Sequence, residues 1–314
     1  MQETAKEEEE KFNKHRSKDM DPLTQTRMLS LMNISSGHPD ITIGIIDGPV
    51  DLNHPAFQRS RIRTVRESQY IACKNASDTA CVHGTSVTSI LSANRGLFAP
   101  AICPDCSIIL NPVFTGDPTT SMTNNNSNIP IPSTTAEELS NAIMETIDAG
   151  SKIINLSLGL STSSLTVYDK LQQAYDYALQ KGVIIVVAAG NQGRIGNTSL
   201  INHQWLIPVA ACDEDSKLDP MSNFGPSIGR RGLMAPGVNI SSAYPGGQHS
   251  HMSGTSFAAP FVTGAIALLW SIFPNASPSK IIYSMLKGAS HKSHRSIIPP
   301  LLNGEAAMNI LNSS

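Results

Sequence analysis

Unbroken runs of β-branched residues, spaced by segments of helical periodicity, constrain this chain more than any other feature. Ile41-Thr42-Ile43-Gly44-Ile45-Ile46 is apolar on odd and even positions alike and stops at Asp47. A strand with one wet face alternates in polarity, whereas a strand apolar on both faces is covered on both. Val183-Ile184-Ile185-Val186-Val187 reads the same way, and further strands are expected at 108–113, 152–158 and 205–211. Helices lie between them. Thr134-Thr135-Ala136-Glu137 forms a capping box that opens a helix closed by Gly150. Tyr168, Leu171, Tyr175 and Ala178 recur at helical spacing over 165–181, and Gly182 ends that segment. Residues 255–273 are apolar almost all round, as in a buried helix, and 279–287 are amphipathic. Strand–helix alternation predicts an α/β fold with a mostly parallel central sheet and helices on both faces.

Composition narrows the function. Of 314 residues 40% are apolar, enough for a large core, which excludes a disordered chain or a small disulfide-stapled scaffold. A net charge of −2 with no basic block argues against nucleic acid as a partner. No apolar run reaches the ~18 residues of a membrane span, so no membrane partner is expected. The first 21 residues hold 12 Asp, Glu, Lys and Arg side chains and no apolar core of a signal peptide. Residues 1–20 therefore read as a charged arm, 21–314 as one domain, and the location as cytoplasmic. The Thr-, Asn- and Pro-rich stretch 116–132 reads as a long surface loop.

Five cysteines leave several readings open: Cys73, Cys81, Cys103, Cys106 and Cys212. Two local disulfides, Cys73–Cys81 and Cys103–Cys106, compete with free thiols. A zinc site needs four converging ligands and a thioredoxin-like site a different surrounding pattern, so both are weaker readings.

Three short segments carry chemistry. Asp47-Gly48-Pro49-Val50-Asp51 follows a buried strand, His83-Gly84-Thr85 precedes the apolar run 87–91, and Gly254-Thr255-Ser256-Phe257-Ala258-Ala259-Pro260 opens the buried helix. Alone, the aspartate could be a turn residue, the histidine a loop residue and the serine an N-cap. Together they are the parts of nucleophilic acyl transfer: a weak serine nucleophile, an imidazole base, and a carboxylate that sets its tautomer. Helix N-terminal amides favour the negative charge that develops beside such a serine.

In the order Asp47, His83, Ser256, separated by 36 and 173 residues, these segments resemble the subtilisin-like serine proteases. Ser157-Leu158-Gly159 is similar to that family's substrate-pairing strand, and Ala188-Ala189-Gly190-Asn191 to the segment bearing its oxyanion-hole asparagine. Ala235-Pro236-Gly237-Val238 is similar to a stretch ahead of the serine. The likeness runs over 41–270, about three quarters of the chain. It implies a subtilisin-like three-layer sandwich. It also implies a serine endopeptidase with Asp47, His83 and Ser256 catalytic and Asn191 in the oxyanion hole. Ser157, Leu158, Gly159, Ala189 and Gly190 are then expected to bind substrate.

Departures from the pattern narrow the subfamily. Gly48-Pro49 stands where Ser or Thr and Gly usually follow the aspartate, and Ser86 stands where a second histidine is usual. Ala56 replaces the carboxylate that commonly follows the His-Pro pair as a calcium ligand, and 92–100 show no calcium loop. No metal and no cofactor are therefore expected. The stretch ahead of the first strand is short and charged for a folding prodomain, which points to an intracellular processing protease. Asp47-Gly48-Pro49-Val50-Asp51-x-x-His54-Pro55 resembles the subtilisin-like proteases of cyanobactin maturation, which trim ribosomally made precursor peptides. Their macrocyclising type carries a helical lid between the aspartate and the histidine. The 35 residues between Asp47 and His83 leave little room for one, so the leader-removing type is favoured. The expected partner is a precursor peptide bound in extended conformation, with a glutamate upstream of the cut for which Arg194 and Arg230 are candidate partners. Full-length members commonly continue into a further C-terminal domain. The competing readings are a macrocyclising transamidase of the same fold and an inactive pseudoprotease that only binds leader peptides.

Overall fold

Six buried strands and one exposed edge strand line up side by side in a parallel sheet, as the two-faced apolarity of the inner runs demands. A computed structural model describes residues 21–65, 73, 76–114, 133–160, 165–196, 199–289 and 296–313. The expected arm and the 116–132 loop lie outside the described residues. The strands are β1 (Thr42–Asp47), β2 (Arg61–Thr64), β3 (Ser107–Pro112), β4 (Ser133–Thr134), β5 (Ile153–Leu156), β6 (Gly159–Leu160), β7 (Ile184–Ala188), β8 (Leu206–Cys212), β9 (Leu233–Pro236), β10 (Ile240–Tyr244) and β11 (Gln248–Met252). The helices are α1 (Pro22–Gln25), α2 (Met28–Met32), α3 (Thr79–Ser92), α4 (Ala136–Asp148), α5 (Leu165–Lys181), α6 (Pro226–Arg231), α7 (Thr255–Ile272), α8 (Pro278–Ala289) and α9 (Gly304–Asn312).

The sheet order is β2-β3-β1-β5-β7-β8-β9, and each neighbouring pair is parallel. Successive side chains divide between two cores, as the period of two requires. Ile43, Ile45, Ile184 and Val186 face the layer containing α3 and α7, while Ile46, Ile154, Ile185 and Val187 face α4 and α5. The three-layer α/β sandwich is thus present. After β3 the chain crosses back over β1 to enter β5, so the strand order reverses at β1/β5. In open parallel sheets the carboxyl ends at such a reversal form a crevice for ligands. Asp47 ends β1 and Ser157 follows β5, and the two strands pair with Ile46 opposite Leu156.

Some elements differ in detail from the sequence reading. The capping box sits one residue later: Thr135 caps α4 and Glu138 returns the bond to the Thr135 amide. Thr134 is drawn into β4, opposite Leu160, so Thr135 is the first residue left to cap. The third strand ends at Leu156 rather than 158, because Ser157 and Leu158 turn away from the sheet. In α5, Leu171, Tyr175 and Ala178 are fully buried as the periodicity predicts, and the Tyr168 side chain lies outside the described residues. The hairpin β10/β11 and the short elements β2, β9, α1, α2, α6 and α9 were not expected.

The membrane argument also needs correcting. Helix α7 is 18 residues long with mean hydropathy 1.5, enough by length and composition to cross a membrane. Of this helix 89% is buried, between the sheet and the helices of the first layer, which is the position of a core helix.

Of the two disulfides that competed with free thiols, Cys73–Cys81 is closed, and Cys103–Cys106 is not. Cys103 and Cys106 are buried in a turn closed by the Cys106 amide on the Cys103 carbonyl. A hydrogen bond between the thiols, with burial, raises Cys103 well above the usual thiol range, and the same bond lowers Cys106. Burial pushes the Cys212 thiol up to about 12. Among the described residues no three His, Cys, Asp or Glu side chains converge as a metal site would require.

Candidate active site

The first component is the carboxyl end of β1. Asp47 is 1% exposed, and its Oδ1 accepts from His83 Nδ1 at 2.7 Å and from the Gly48 amide at 2.6 Å. A carboxylate only accepts, so Nδ1 is the donor of this bond, and in the neutral imidazole Nε2 is then the acceptor. The other oxygen, Oδ2, is buried without a partner among the described residues. The Ser or Thr usual at position 48 in subtilisins is excluded here by packing. A Cβ at Gly48 would fall 2.1 Å from the Ala80 carbonyl, and one at Gly84 would fall 2.5 Å from the Gly48 and Pro49 carbonyls. Two glycines facing each other let α3 rest directly on the β1 exit, which brings His83 to Asp47.

Helix α3 starts earlier than the apolar run suggested. Asp78 caps it by accepting from the Ala80 amide, and His83 lies within the helix instead of ahead of it. Ser86, in place of a second histidine, donates to the Ala243 carbonyl at 2.9 Å, while Ser89 accepts from the Ala243 amide at 2.9 Å. The two hydroxyls satisfy the buried backbone of β10 and fix α3 against the hairpin.

The second component is the start of α7. Gly254 is its N-cap residue, with φ 134°, and Ser256 is the second helical residue, 5% exposed. Pro260 lies four residues on and has no N–H to offer the Ser256 carbonyl. That carbonyl is taken instead by the Ser157 hydroxyl at 2.9 Å. Ser157 Oγ in turn accepts from Asn155 Nδ2 at 2.9 Å, and Asn155 Oδ1 accepts from Thr263 at 2.8 Å. A fully buried polar chain from mid-α7 through β5 thereby holds the backbone of Ser256. Asn155 and Thr263 escaped the sequence reading, since a buried Asn in a strand announces no partner.

The Ser256 hydroxyl donates to the Ser157 carbonyl at 3.3 Å. His83 meets α7 through Phe257, the next residue, at 5.5 Å between ring centroids. The structure therefore joins Asp47 to His83 directly, and Ser256 to Ser157.

Asn191 follows β7 and is tied to the same helix start. Its Oδ1 accepts from the Thr255 amide at 2.8 Å and the Thr255 hydroxyl at 2.9 Å, and the Gly190 amide donates to that hydroxyl at 3.1 Å. With Oδ1 occupied, the amide presents Nδ2 as its donor. Ala189 and Leu158 are buried, Gly190 and Gly159 are half-buried, and Gly159 pairs in parallel with Ser133. Arg194 is exposed, and Arg230 bonds its own helix at the Pro226 carbonyl.

The Subtilase family model matches residues 38–298. The chain belongs to the subtilase family. It is 31% identical over 243 residues to the thermophilic serine proteinase of Bacillus sp. (strain AK1), covering 76% of this chain and 54% of that protein. This subtilase thus spans about half the length of that relative. Among solved structures it is similar to the prenylagaramide maturation protease PagA, at 27% identity and TM-score 0.76, over 90% of this chain and 98% of that one. The PatG macrocyclase in complex with peptide, at 20% identity and TM-score 0.72, over 91% of this chain and 96% of that one, shares the fold.

Calcium is the metal the family implies, and the residues at the expected place do not fit it. Ala56 is fully buried in a cluster with Ala93, Ala99 and Ala101, against which Phe98 packs. Calcium takes six to eight oxygen ligands, and methyl groups occupy this position. Treatment of this subtilase with EDTA is expected to leave activity and melting temperature unchanged. A fall in melting temperature with chelator, restored by added calcium, would refute the assignment.

Proposed function

We propose that this subtilase is an endopeptidase that cuts a ribosomally made precursor peptide, removing its leader through a serine acyl-enzyme. The observation that carries the reading is the buried Asp47–His83 bond at the sheet reversal, facing the N-terminus of the helix that bears Ser256. Asp47 holds His83 with its proton on Nδ1, so Nε2 is free to take the Ser256 proton. For this the hydroxyl must leave the Ser157 carbonyl. The deprotonated oxygen attacks the substrate carbonyl, and the oxyanion is met by Asn191 Nδ2. His83 returns the proton to the leaving amine, and water resolves the ester by the same steps in reverse. The substrate peptide adds as an extended strand beside the ribbon of β4 and β6, held by backbone hydrogen bonds.

The maturation-protease likeness supports precursor peptides as the substrate class. Hydrolysis is favoured over macrocyclisation by what lies between Asp47 and α3. Among the described residues of that interval there are one three-residue 3-10 turn, Pro55–Phe57, and one four-residue strand. Neither can shield an ester from water while a core amine returns. The Cys73–Cys81 disulfide bears against the cytoplasmic expectation, because cytosolic thiols are kept reduced. Mass spectrometry of products from a cyanobactin-type precursor peptide tests the proposal. Linear leader and linear core-plus-follower are expected. A core lighter than its linear form by one water, as the main product, would make the chain a macrocyclase.

A further inference from the structure

Asn223, in the connection between β8 and α6, is 1% exposed and spends its backbone amide and both polar atoms of its side chain on one short segment. Its backbone amide donates to the Gly190 carbonyl at 2.8 Å. Its Nδ2 donates to the Ala189 carbonyl at 3.0 Å and to Gln192 Oε1 at 2.7 Å. Its Oδ1 accepts from the Gln192 amide at 3.2 Å and the Arg194 amide at 2.9 Å. These partners flank Asn191 on both sides. The approach is so close that a Cβ on Gly190, whose φ is +101°, would lie 2.4 Å from Asn223 Nδ2. No helix or strand covers 189–194, and this one side chain bonds the Ala189 carbonyl and the Gln192 and Arg194 amides, which a regular element would otherwise have paired.

We infer that Asn223 is a positioning residue that sets the Asn191 amide for the oxyanion. Thr255 holds the Asn191 side chain from the helix, and Asn223 holds the backbone of the residues that flank Asn191. The inference rests on the oxyanion reading of Asn191 given above. A donor of this kind acts by being in place before charge develops, and a displacement of about 1 Å can cost ~10² in rate. Other bonds keep the loop folded without Asn223: the Gly193 amide on the Met221 carbonyl and the Gly196 amide on the Phe224 carbonyl. Slack is thus confined to the turn that carries Asn191.

The test uses a capped tetrapeptide p-nitroanilide that the unmodified chain turns over. In Asn223→Ala, kcat is expected to fall about 10- to 100-fold with KM within about threefold. The affinity of the matching peptide aldehyde, whose hemiacetal oxygen occupies the oxyanion position, should fall in proportion. That of the matching peptide amide should not. In an Asn191→Ala background the further loss in kcat should shrink below about threefold, since the two residues act as one unit. If the alanine variant does not fold, Asn223→Asp carries the same comparison. It keeps the acceptor for the Gln192 and Arg194 amides and loses the donor to Ala189. An unchanged kcat, or an equal loss in both backgrounds, overturns the inference. Unchanged turnover in Asn191→Ala alone sinks the oxyanion reading itself, whereas a slow Asn191→Ala beside a normal Asn223→Ala sinks only the role of Asn223.

Discussion

Ser256→Ala is expected to abolish turnover and leave the fold intact. Among the described residues the hydroxyl makes one hydrogen bond, at 3.3 Å to the Ser157 carbonyl, so its removal takes little from stability. The Ser256 carbonyl keeps its bond from Ser157, and the chain of side-chain bonds through Asn155 and Thr263 is untouched. A stability change under about 1 kcal/mol, roughly 2–4 °C in melting temperature, is expected. The loss in kcat is far larger. In subtilisin, removing the nucleophile costs about 10⁶, a magnitude taken over from that enzyme. Residual cleavage from binding and the oxyanion site remains, about 10³–10⁴ above the uncatalysed rate. Wild-type turnover by a purified, folded alanine variant would refute the nucleophile assignment.

Asn191→Ala is expected to lower kcat by roughly 10²–10³ with little change in KM, again the loss known for such a donor in subtilisin. The split follows from timing: the oxyanion exists in the transition state and not in the bound substrate. Stability should fall as well. Asn191 Oδ1 is the acceptor for the Thr255 amide, one of the helix N-terminal donors that has no partner within the helix. Losing it costs about 1–3 kcal/mol where the amide is cut off from water. Thermal melting therefore has to accompany the kinetics, and an unchanged turnover number in the folded variant would sink the assignment.

The parallel sheet was legible because strands buried on both faces cannot hide: Ile41–Ile46 and Val183–Val187 have no polar side to show. The long helices were legible from spacing, apart from the capping box, which moved by one residue when β4 claimed Thr134. Short or exposed elements were not legible. Strand β2 alternates exposed arginines with half-buried residues at a sheet edge, and the hairpin β10/β11 presents Gln248 and His249 to solvent. Neither carries the apolar contrast on which a sequence reading depends. The cysteines divided: separation in the chain could not tell which of two near pairs would close, because that depends on where two Cβ atoms point.

For the site, Asp47, His83, Ser256 and Asn191 were legible as candidates because their motifs, in that order, resemble those of the subtilisin-like family; chemistry alone supplied the residue types and not the order. What holds them was decided by the tertiary structure. Gly48 reads as a departure from a pattern until α3 is seen lying on it, with the Ala80 carbonyl where a side chain would be. Ser157 reads as part of a substrate strand, yet its hydroxyl faces inward to the carbonyl that Pro260 leaves without a helical donor. Asn155, Thr263 and Asn223 carry no signal in one dimension. Their partners lie 2 and 108, and 29 to 34, residues away along the chain. The sequence by itself determined the layer architecture and the chemical groups, because burial and reactivity belong to residue types. Only folding decided which buried polar atoms meet, because a hydrogen bond depends on distances of a few tenths of an ångström that no local pattern encodes.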